Sequence, residues 1–333
     1  MQLPFRLNDL LLLVVVLSSM AAGIIFPGFS SRFQALPVYC LMILFALSYL
    51  SIELKTVRST LRNDKGRILA FVGMKSLIFP ALVYYLFQAV APDYALAALL
   101  LSGVSTGVVA PFISNLVRGN SALVLVVVVL TSVLVPVTLP VLARLVASEH
   151  AEISMPAMIR MLLLVIFVPI LIVEALRRLT PGLLRRAIRF QFPVSLVLFA
   201  LINLGIFSRH SVLFRTEPVL ILTAAVVAVG LSAICCAAGI LFFWRCPLED
   251  QLAGAVMMGN MNNVLVIVFA SAFFGPIEPL VSAMYIIPFL VAPAAHMIDC
   301  IGHETRSIVP LAATVCFLAA QCWFTETMLY TYW

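Results

Sequence analysis

About eleven runs of mostly apolar residues follow one another along this chain, and each is close to the length of one membrane-spanning helix. Roughly 20 apolar residues in an α-helix cross the hydrocarbon core of a bilayer. The runs lie at residues 10–26, 35–52, 68–87, 94–117, 122–146, 157–176, 192–207, 218–244, 252–274, 279–298 and 308–329. Only 10% of the residues are charged, against about 25% in soluble domains. We therefore expect an all-α protein that crosses a membrane many times.

The basic residues indicate how these helices are oriented. They cluster in two short loops, one between the second and third runs and one between the sixth and seventh. The clusters are Lys55, Arg58, Arg62, Lys65 and Arg67 in the first loop, and Arg177, Arg178, Arg185, Arg186 and Arg189 in the second. Short loops rich in lysine and arginine stay in the cytoplasm. We therefore expect a multi-pass protein of the cell membrane with a cytoplasmic N-terminus, and we infer no nucleic-acid partner from the net charge of +6.

The fourth and ninth runs lose their apolar character midway. The fourth is interrupted by Ser-Gly-Val-Ser-Thr-Gly at residues 102–107, and the ninth by Gly-Asn-Met-Asn-Asn at residues 259–263. Broken helices at matching places in two halves of a chain are typical of the central binding site of a secondary transporter. Because five spans are an odd number, a second set of five enters from the opposite side. We predict two inverted repeats, residues 1–147 and 148–300, and an additional C-terminal span within residues 301–333.

Polar side chains in and beside the two interruptions are candidate binding residues. They are Asn260, Asn262 and Asn263 in the ninth run, and Ser105, Thr106 and Ser114 in the fourth. Three amides within four residues at the middle of a span are costly unless they are hydrogen-bonded. Side chains of this kind also join membrane helices to one another, and the sequence leaves that alternative open.

Lys75 lies near the middle of the third run, with apolar residues on both sides. An ammonium at the centre of a bilayer costs about 2.5–3.5 kcal/mol on insertion scales, so it indicates a functional site and needs a partner. We expect Asn262, Asn263 and backbone carbonyls at the broken helix ends to accept its three hydrogens.

Through its first ten spans, the sequence resembles the bile acid:sodium symporter family, most densely at residues 103–140 and 258–270. Residues 103–140 are similar to the family's crossover helix and the helix after it, and residues 45–62 resemble its second helix and basic loop. The matching residues are Leu116, Val117, Arg118, Gly119 and Asn120, followed by Thr131, Ser132, Pro136 and Pro140. Residues 258–270 hold Met261-Asn262-Asn263 where the family has Met-Gln-Asn.

The resemblance implies a fold of ten helices in two domains. Spans 1, 2, 6 and 7 would form a panel domain, and spans 3–5 and 8–10 a core domain, with the two broken helices crossing in the core. The substrate would bind in the cleft between the domains, where Tyr285 is a further candidate for the lining.

Most of the family's sodium ligands have no counterpart in this sequence. The family holds sodium through side chains on its third, fourth, fifth and ninth helices. The aligned positions hold Lys75, Ala110, Pro111, Val124, Val128, Met258 and Asn262. Sodium binds through oxygens, and an ammonium beside the site would repel a second cation. The resemblance therefore implies that neither sodium site survives, and we expect Lys75 to replace the bound ion.

We expect this protein to be a secondary transporter of a small organic anion that works by alternating access and without sodium. A fixed positive charge and helix N-termini at the breaks both favour an anion. Two roles stay open for Lys75: it exchanges H⁺ during transport, or it is a permanently charged structural group. A sodium-coupled symporter with rebuilt ligands, and a membrane sensor or assembly protein that does not transport, are the alternatives. We expect no enzymatic activity, cofactor or metal, because the sequence has no catalytic, phosphate-binding or metal-ligand motif.

Overall fold

The computed structural model describes residues 7–288, except for 51, 53, 147–153, 180–187 and 189. This part of the chain is almost entirely helical, and its β-structure is a single bridge between Thr106 and Met261. The expected all-α membrane fold is therefore confirmed. The predicted span 308–329, the second half of 279–298, and the basic residues Arg185, Arg186 and Arg189 lie outside the described residues.

The helices of the described chain are labelled α1 to α16. Up to residue 146 the elements are α1 (Leu7–Ile25), α2 (Pro27–Ser30), a 3-10 turn (Ser31–Phe33), α3 (Pro37–Tyr49), α4 (Leu54–Asn63), α5 (Lys65–Gly73), a π-helical segment (Met74–Ile78), α6 (Phe79–Val90), a second 3-10 turn (Pro92–Tyr94), α7 (Ala95–Gly103), α8 (Ala110–Leu116) and α9 (Ser121–Val146). The later elements are α10 (Met155–Leu179), α11 (Gln191–Arg209), α12 (Ser211–Thr216), α13 (Val219–Phe242), α14 (Leu248–Gly259), α15 (Asn263–Phe273) and α16 (Ile277–Met284).

Five helical stretches of the described chain are long and apolar enough to cross a bilayer on their own. They are Lys65–Val90, Ser121–Leu145, Met155–Leu179, Gln191–Arg209 and Val219–Phe242. The predicted fourth span consists of two short helices, α7 and α8, and the predicted ninth span consists of α14 and α15. Both interruptions predicted from the sequence are therefore present.

The predicted loop between the second and third spans contains a separate helix, α4. This helix packs against α9, burying Val57 and half-burying Leu61, while Arg58 and Arg62 are exposed. Apolar residues four positions apart lie on one face of a helix, which explains the amphipathic arrangement. The segment is too short and too polar to span a membrane, so it does not stand out as an apolar run in the sequence.

One group of packed helices consists of α1, α3, α10 and α11. Helix α1 packs on α11, and α3 packs on both α10 and α11. The buried Asn203 side chain of α11 donates to Val16 O (3.2 Å) and to the Ser19 hydroxyl (3.1 Å) of α1. A buried amide in this position joins two membrane helices, because lipid offers it no partner.

A second group consists of α5 to α9 and α13 to α16. Helix α6 packs on α7, and α13 packs on both α14 and α16. The backbones of α13 and α14 approach so closely that a Cβ added at Gly239 would clash with the carbonyl of Gly254. Helix α15 also contacts α3, α10 and α11, so the break before α15 lies near the boundary between the two groups.

Candidate transport site

Lys75 lies in a widened helical turn of the third span. The π-helical segment Met74–Ile78 comes just before Pro80, whose ring nitrogen cannot donate to the carbonyl of Ser76. The missing bond favours a local departure from α-helical geometry, and π-helical turns are frequent at functional sites. The segment packs against α7 and α9, and Lys75 is only 1% exposed.

The Lys75 ammonium has no hydrogen-bond partner among the described residues. The predicted bonds to Asn262 and Asn263 are therefore wrong. The Asn262 side chain instead accepts from Leu265 N (3.3 Å) and caps α15, while Asn263 Nδ2 donates to Ser282 O (3.4 Å). Asn262 thus caps the second half of its own broken span, and Asn263 joins that span to α16. The buried cation is left without the partner that the sequence predicted.

The two broken spans cross and bind each other through their backbones. The crossing is marked by the bridge between Thr106 and Met261. The hydrogen bonds around it are Gly107 N to Asn260 O (2.7 Å) and Asn262 N to Ser105 O (2.9 Å). Unwound peptide groups at membrane depth must be satisfied within the protein, and here each break supplies partners to the other.

Thr106 connects three spans and so has a structural role in addition to its position at the break. Its hydroxyl donates to Met257 O on α14 (2.9 Å), and its amide donates to Thr131 Oγ1 on α9 (3.2 Å). Thr131 is therefore part of the crossing, although the sequence does not predict it there. Its hydroxyl within an otherwise apolar run was the available signal.

Four buried polar atoms of predicted site residues have no hydrogen-bond partner in the described part of the chain. They are Lys75 Nζ, Ser105 Oγ, Ser114 Oγ and Asn260 Oδ1. Buried polar groups are rarely left unpaired, so each of these atoms needs an explanation. Only two further side-chain atoms of the described residues share this condition, Arg67 Nε and Glu278 Oε2.

The structure brings some of the predicted residues together and separates others. Ser105 and Asn260 belong to the crossing itself. Ser114 Oγ instead lies next to Gly119 and near Ala253 in the first half of α14. Ala253 is six residues before Gly259, which corresponds to about 9 Å along a helix. Ser114 is therefore outside the immediate crossing.

Tyr285 does not line a cleft, contrary to the expectation from the sequence. The side chain is completely buried, and its hydroxyl donates to Gly259 O (2.9 Å), the last residue of α14. The cleft lining suggested for Tyr285 is therefore wrong for this conformation of the protein.

Of the seven positions that the resemblance aligns with the family's sodium ligands, six hold residues without a side-chain oxygen, and the seventh is Asn262. Ala110, Val124, Val128 and Met258 are buried and have no side-chain oxygen. Pro111 has none either, and Lys75 adds a charge of the same sign as the ion. Several carbonyls at the crossing are already bonded to protein donors. Sodium requires a set of oxygen ligands, and this arrangement does not provide the family's set.

A family model matches more than half of this chain. The family model described as Sodium Bile acid symporter family matches residues 37–216. The matched segment is more than half of the 333-residue chain and contains Lys75 and the first break. No curated protein matches the chain.

Proposed function

The chain belongs to the sodium bile acid symporter family, and from that premise we propose that it carries a small organic anion across the cell membrane without sodium. The apolar helices make it a multi-pass integral membrane protein, and the family is one of transporters. In the proposed mechanism the Lys75 ammonium takes the place of bound sodium, and the substrate is released on the other side by alternating access.

The observation that carries this proposal is the state of Lys75. The side chain is 1% exposed and has no hydrogen-bond partner among the described residues, and the resemblance aligns it with a sodium-binding glutamine of the family. No described carboxylate interacts with it, and its titratable neighbour is the Cys235 thiol. An uncompensated buried cation is costly, so we attribute its presence to the transport site.

An anionic substrate is supported by the charges around the crossing. Lys75 contributes a fixed positive charge, and α15 begins at the second break with its partly positive N-terminus. Asn262 and Asn263 are partly exposed at this helix start, and α15 contacts the other helix group. We propose that the substrate contacts these two amides, with Asn260, Ser105, Thr106 and Ser114 as the polar surroundings.

We propose that the two helix groups are the panel and core domains of this family. The panel would be α1, α3, α10 and α11, and the core α5 to α9 with α13 to α16. The packing supports two inverted repeats, residues 1–147 and 148–300, because equivalent pairs pack alike. The contact of α1 with α11 corresponds to that of α10 with α3, and the contact of α6 with α7 corresponds to that of α13 with α14.

A ligand-stabilisation screen tests the proposal. Purified protein is unfolded thermally with a panel of small carboxylates, small sulfonates and taurocholate, in equimolar sodium chloride or choline chloride. We expect at least one organic anion to raise the Tm equally in both salts and to be taken up by proteoliposomes. Lys75→Gln should reduce the Tm shift, because it removes the fixed positive charge, while Lys65→Gln, which changes an exposed lysine of the same span, should leave the shift unchanged. Stabilisation or uptake that requires sodium would contradict the proposal.

A second candidate is a sodium-coupled symporter with rebuilt ligands. The unpaired oxygens of Ser105 and Asn260 at the crossing favour it. The same screen separates the two, because sodium alone would then raise the Tm of the wild-type protein, and Ser105→Ala would remove that shift.

Proton coupling is the second question about Lys75. A lysine without a carboxylate partner can change its charge during the transport cycle, whereas a structural cation keeps it. Uptake by the wild-type protein that depends on a pH gradient, together with gradient-independent uptake by Lys75→Gln, would indicate coupling. Loss of folded protein in Lys75→Gln and Lys75→Met would indicate the structural role.

A further inference from the structure

The carboxyl end of α14 is placed at the crossing, inside a membrane-spanning protein. The last carbonyls of a helix have no partner within that helix, and this end carries a partial negative charge. In the broken helices of transporters such carbonyls coordinate cations. Where no cation does so, donors from other parts of the chain must satisfy them.

Three donors from other segments reach the carbonyls at this end of α14. They are Thr106 Oγ1 to Met257 O (2.9 Å), Tyr285 Oη to Gly259 O (2.9 Å) and Gly107 N to Asn260 O (2.7 Å). Thr106 and Gly107 belong to the first break itself. Tyr285 follows α16, so a residue from outside both breaks satisfies the terminal carbonyl of α14.

The Tyr285 hydroxyl and the Lys75 side chain reach the same part of α13. Tyr285 is completely buried, and its backbone amide is fixed by a bond to Val281 O (3.0 Å). Ser232, Cys235 and Cys236 lie beside its hydroxyl. Lys75 also interacts electrostatically with Cys235, so the ammonium and the phenol lie on the same side of the crossing, near α13.

We propose that Tyr285 is a positioning residue that takes the place of a bound cation at the Gly259 carbonyl. In this arrangement Lys75 supplies the positive charge and Tyr285 supplies the contact to the carbonyl oxygen. Two covalently attached groups thus replace one dissolved ion. The Gly259 carbonyl at the end of α14 keeps its hydrogen bond to Tyr285 throughout the transport cycle. This inference rests on the proposed sodium-independent function and assigns part of it to a residue outside the family's ligand positions.

Removing the hydroxyl tests the proposal. Tyr285→Phe keeps the aromatic ring and frees the Gly259 carbonyl, and combining it with Lys75→Gln also removes the repelling charge. The matched control is Tyr85→Phe, alone and combined with Lys75→Gln, because Tyr85 is 67% exposed. The Tm of each full-length purified protein is measured in sodium chloride and in equimolar choline chloride.

We expect sodium to raise the Tm of Lys75→Gln/Tyr285→Phe and to leave that of Lys75→Gln/Tyr85→Phe unchanged. Tyr285→Phe alone should show a smaller rise, since Lys75 still repels the ion. A merely structural hydroxyl would lower the Tm equally in both salts and create no response to sodium, and that result would overturn the proposal.

The single variants keep the test decisive if the double variant does not fold. Tyr285→Phe must then respond to sodium more strongly than Tyr85→Phe, and equal responses overturn the proposal. A sodium response in the wild-type protein would contradict the proposed function instead. Even then, a larger response in Tyr285→Phe than in the wild-type protein would support the role of the hydroxyl.

Discussion

The Arg67 guanidinium and the Asp250 carboxylate form an ion pair of 2.9 Å between the first turns of α5 and α14. Asn120, just before α9, donates to the same carboxylate through Nδ2 (2.9 Å) and also accepts from Leu123 N through Oδ1 (3.1 Å). The third, fifth and ninth spans are therefore joined at one end. The Asp250 side chain is 9% exposed, so water screens this contact only weakly.

Asp250→Asn should lower the free energy of unfolding by about 2 kcal/mol. The amide keeps the shape of the side chain but removes the charge that pairs with Arg67, which is 33% exposed and keeps its ion pair with Asp64. A hydrogen bond to a charged group contributes about 1.5–3 kcal/mol. Thermal and denaturant unfolding in detergent measure the change. Glu249→Gln is the matched control, because Glu249 is the exposed neighbouring acid. Equal effects of the two substitutions would contradict the role given to the ion pair.

Gly239→Ala should destabilise the protein by about 1–3 kcal/mol or more, because the added methyl group would push α13 away from the carbonyl of Gly254. Gly230→Ala is the control on the same helix, since a Cβ at Gly230 meets no atom within 4 Å. Unfolding of the two variants is compared under identical conditions. The close helix contact would be disproved by a Gly239→Ala variant as stable as Gly230→Ala.

Arg177→Ala should loosen the contact between α3 and α10. The Arg177 guanidinium donates to the carbonyls of Tyr49 (3.1 Å), Leu50 (3.2 Å) and Ile52 (3.2 Å) at the end of α3. Since unsatisfied carbonyls at a buried helix end are unfavourable, we expect a loss of about 1–3 kcal/mol. Arg178→Ala, at the exposed neighbouring residue, should have little effect on the unfolding transition. An equally large loss in that control would argue that charge, and not the capping contact, matters.

The sequence was sufficient to predict the apolar helices of the described chain and the positions of the two breaks. Within a membrane a segment must be apolar and must satisfy its backbone hydrogen bonds inside the protein. Long apolar runs therefore indicate spanning helices, and clustered polar residues within them indicate breaks. Helix α4 was missed because amphipathic segments of about ten residues do not resemble a span. The π-helical turn at Lys75 was not predicted either, although Pro80 was a visible reason for a local irregularity.

The hydrogen-bond partners within the site could not be obtained from the sequence. They depend on which spans meet, and the donors and acceptors are far apart in the chain. Thr106 and Met257, or Arg67 and Asp250, illustrate this. From the sequence, Asp250 is one of two acids at a helix start, and nothing marks Arg67 as its partner.

Lys75 was correctly placed as a buried cation, but its expected partners were wrong. The Asn262 amide oxygen caps α15 and the Asn263 amide donates to Ser282 O on α16, so neither is bonded to Lys75. Whether an asparagine amide bonds to a nearby helix end or to a distant ammonium depends on the three-dimensional arrangement of the helices. A single sequence does not contain that information.

The most direct test is equilibrium binding of radioactive sodium to the purified wild-type protein, with choline chloride maintaining the ionic strength. If the Lys75 ammonium replaces the ion, the protein should show no saturable sodium binding, and the exposed-lysine control Lys65→Gln should behave in the same way. Saturable binding of sodium to the wild-type protein would contradict the account.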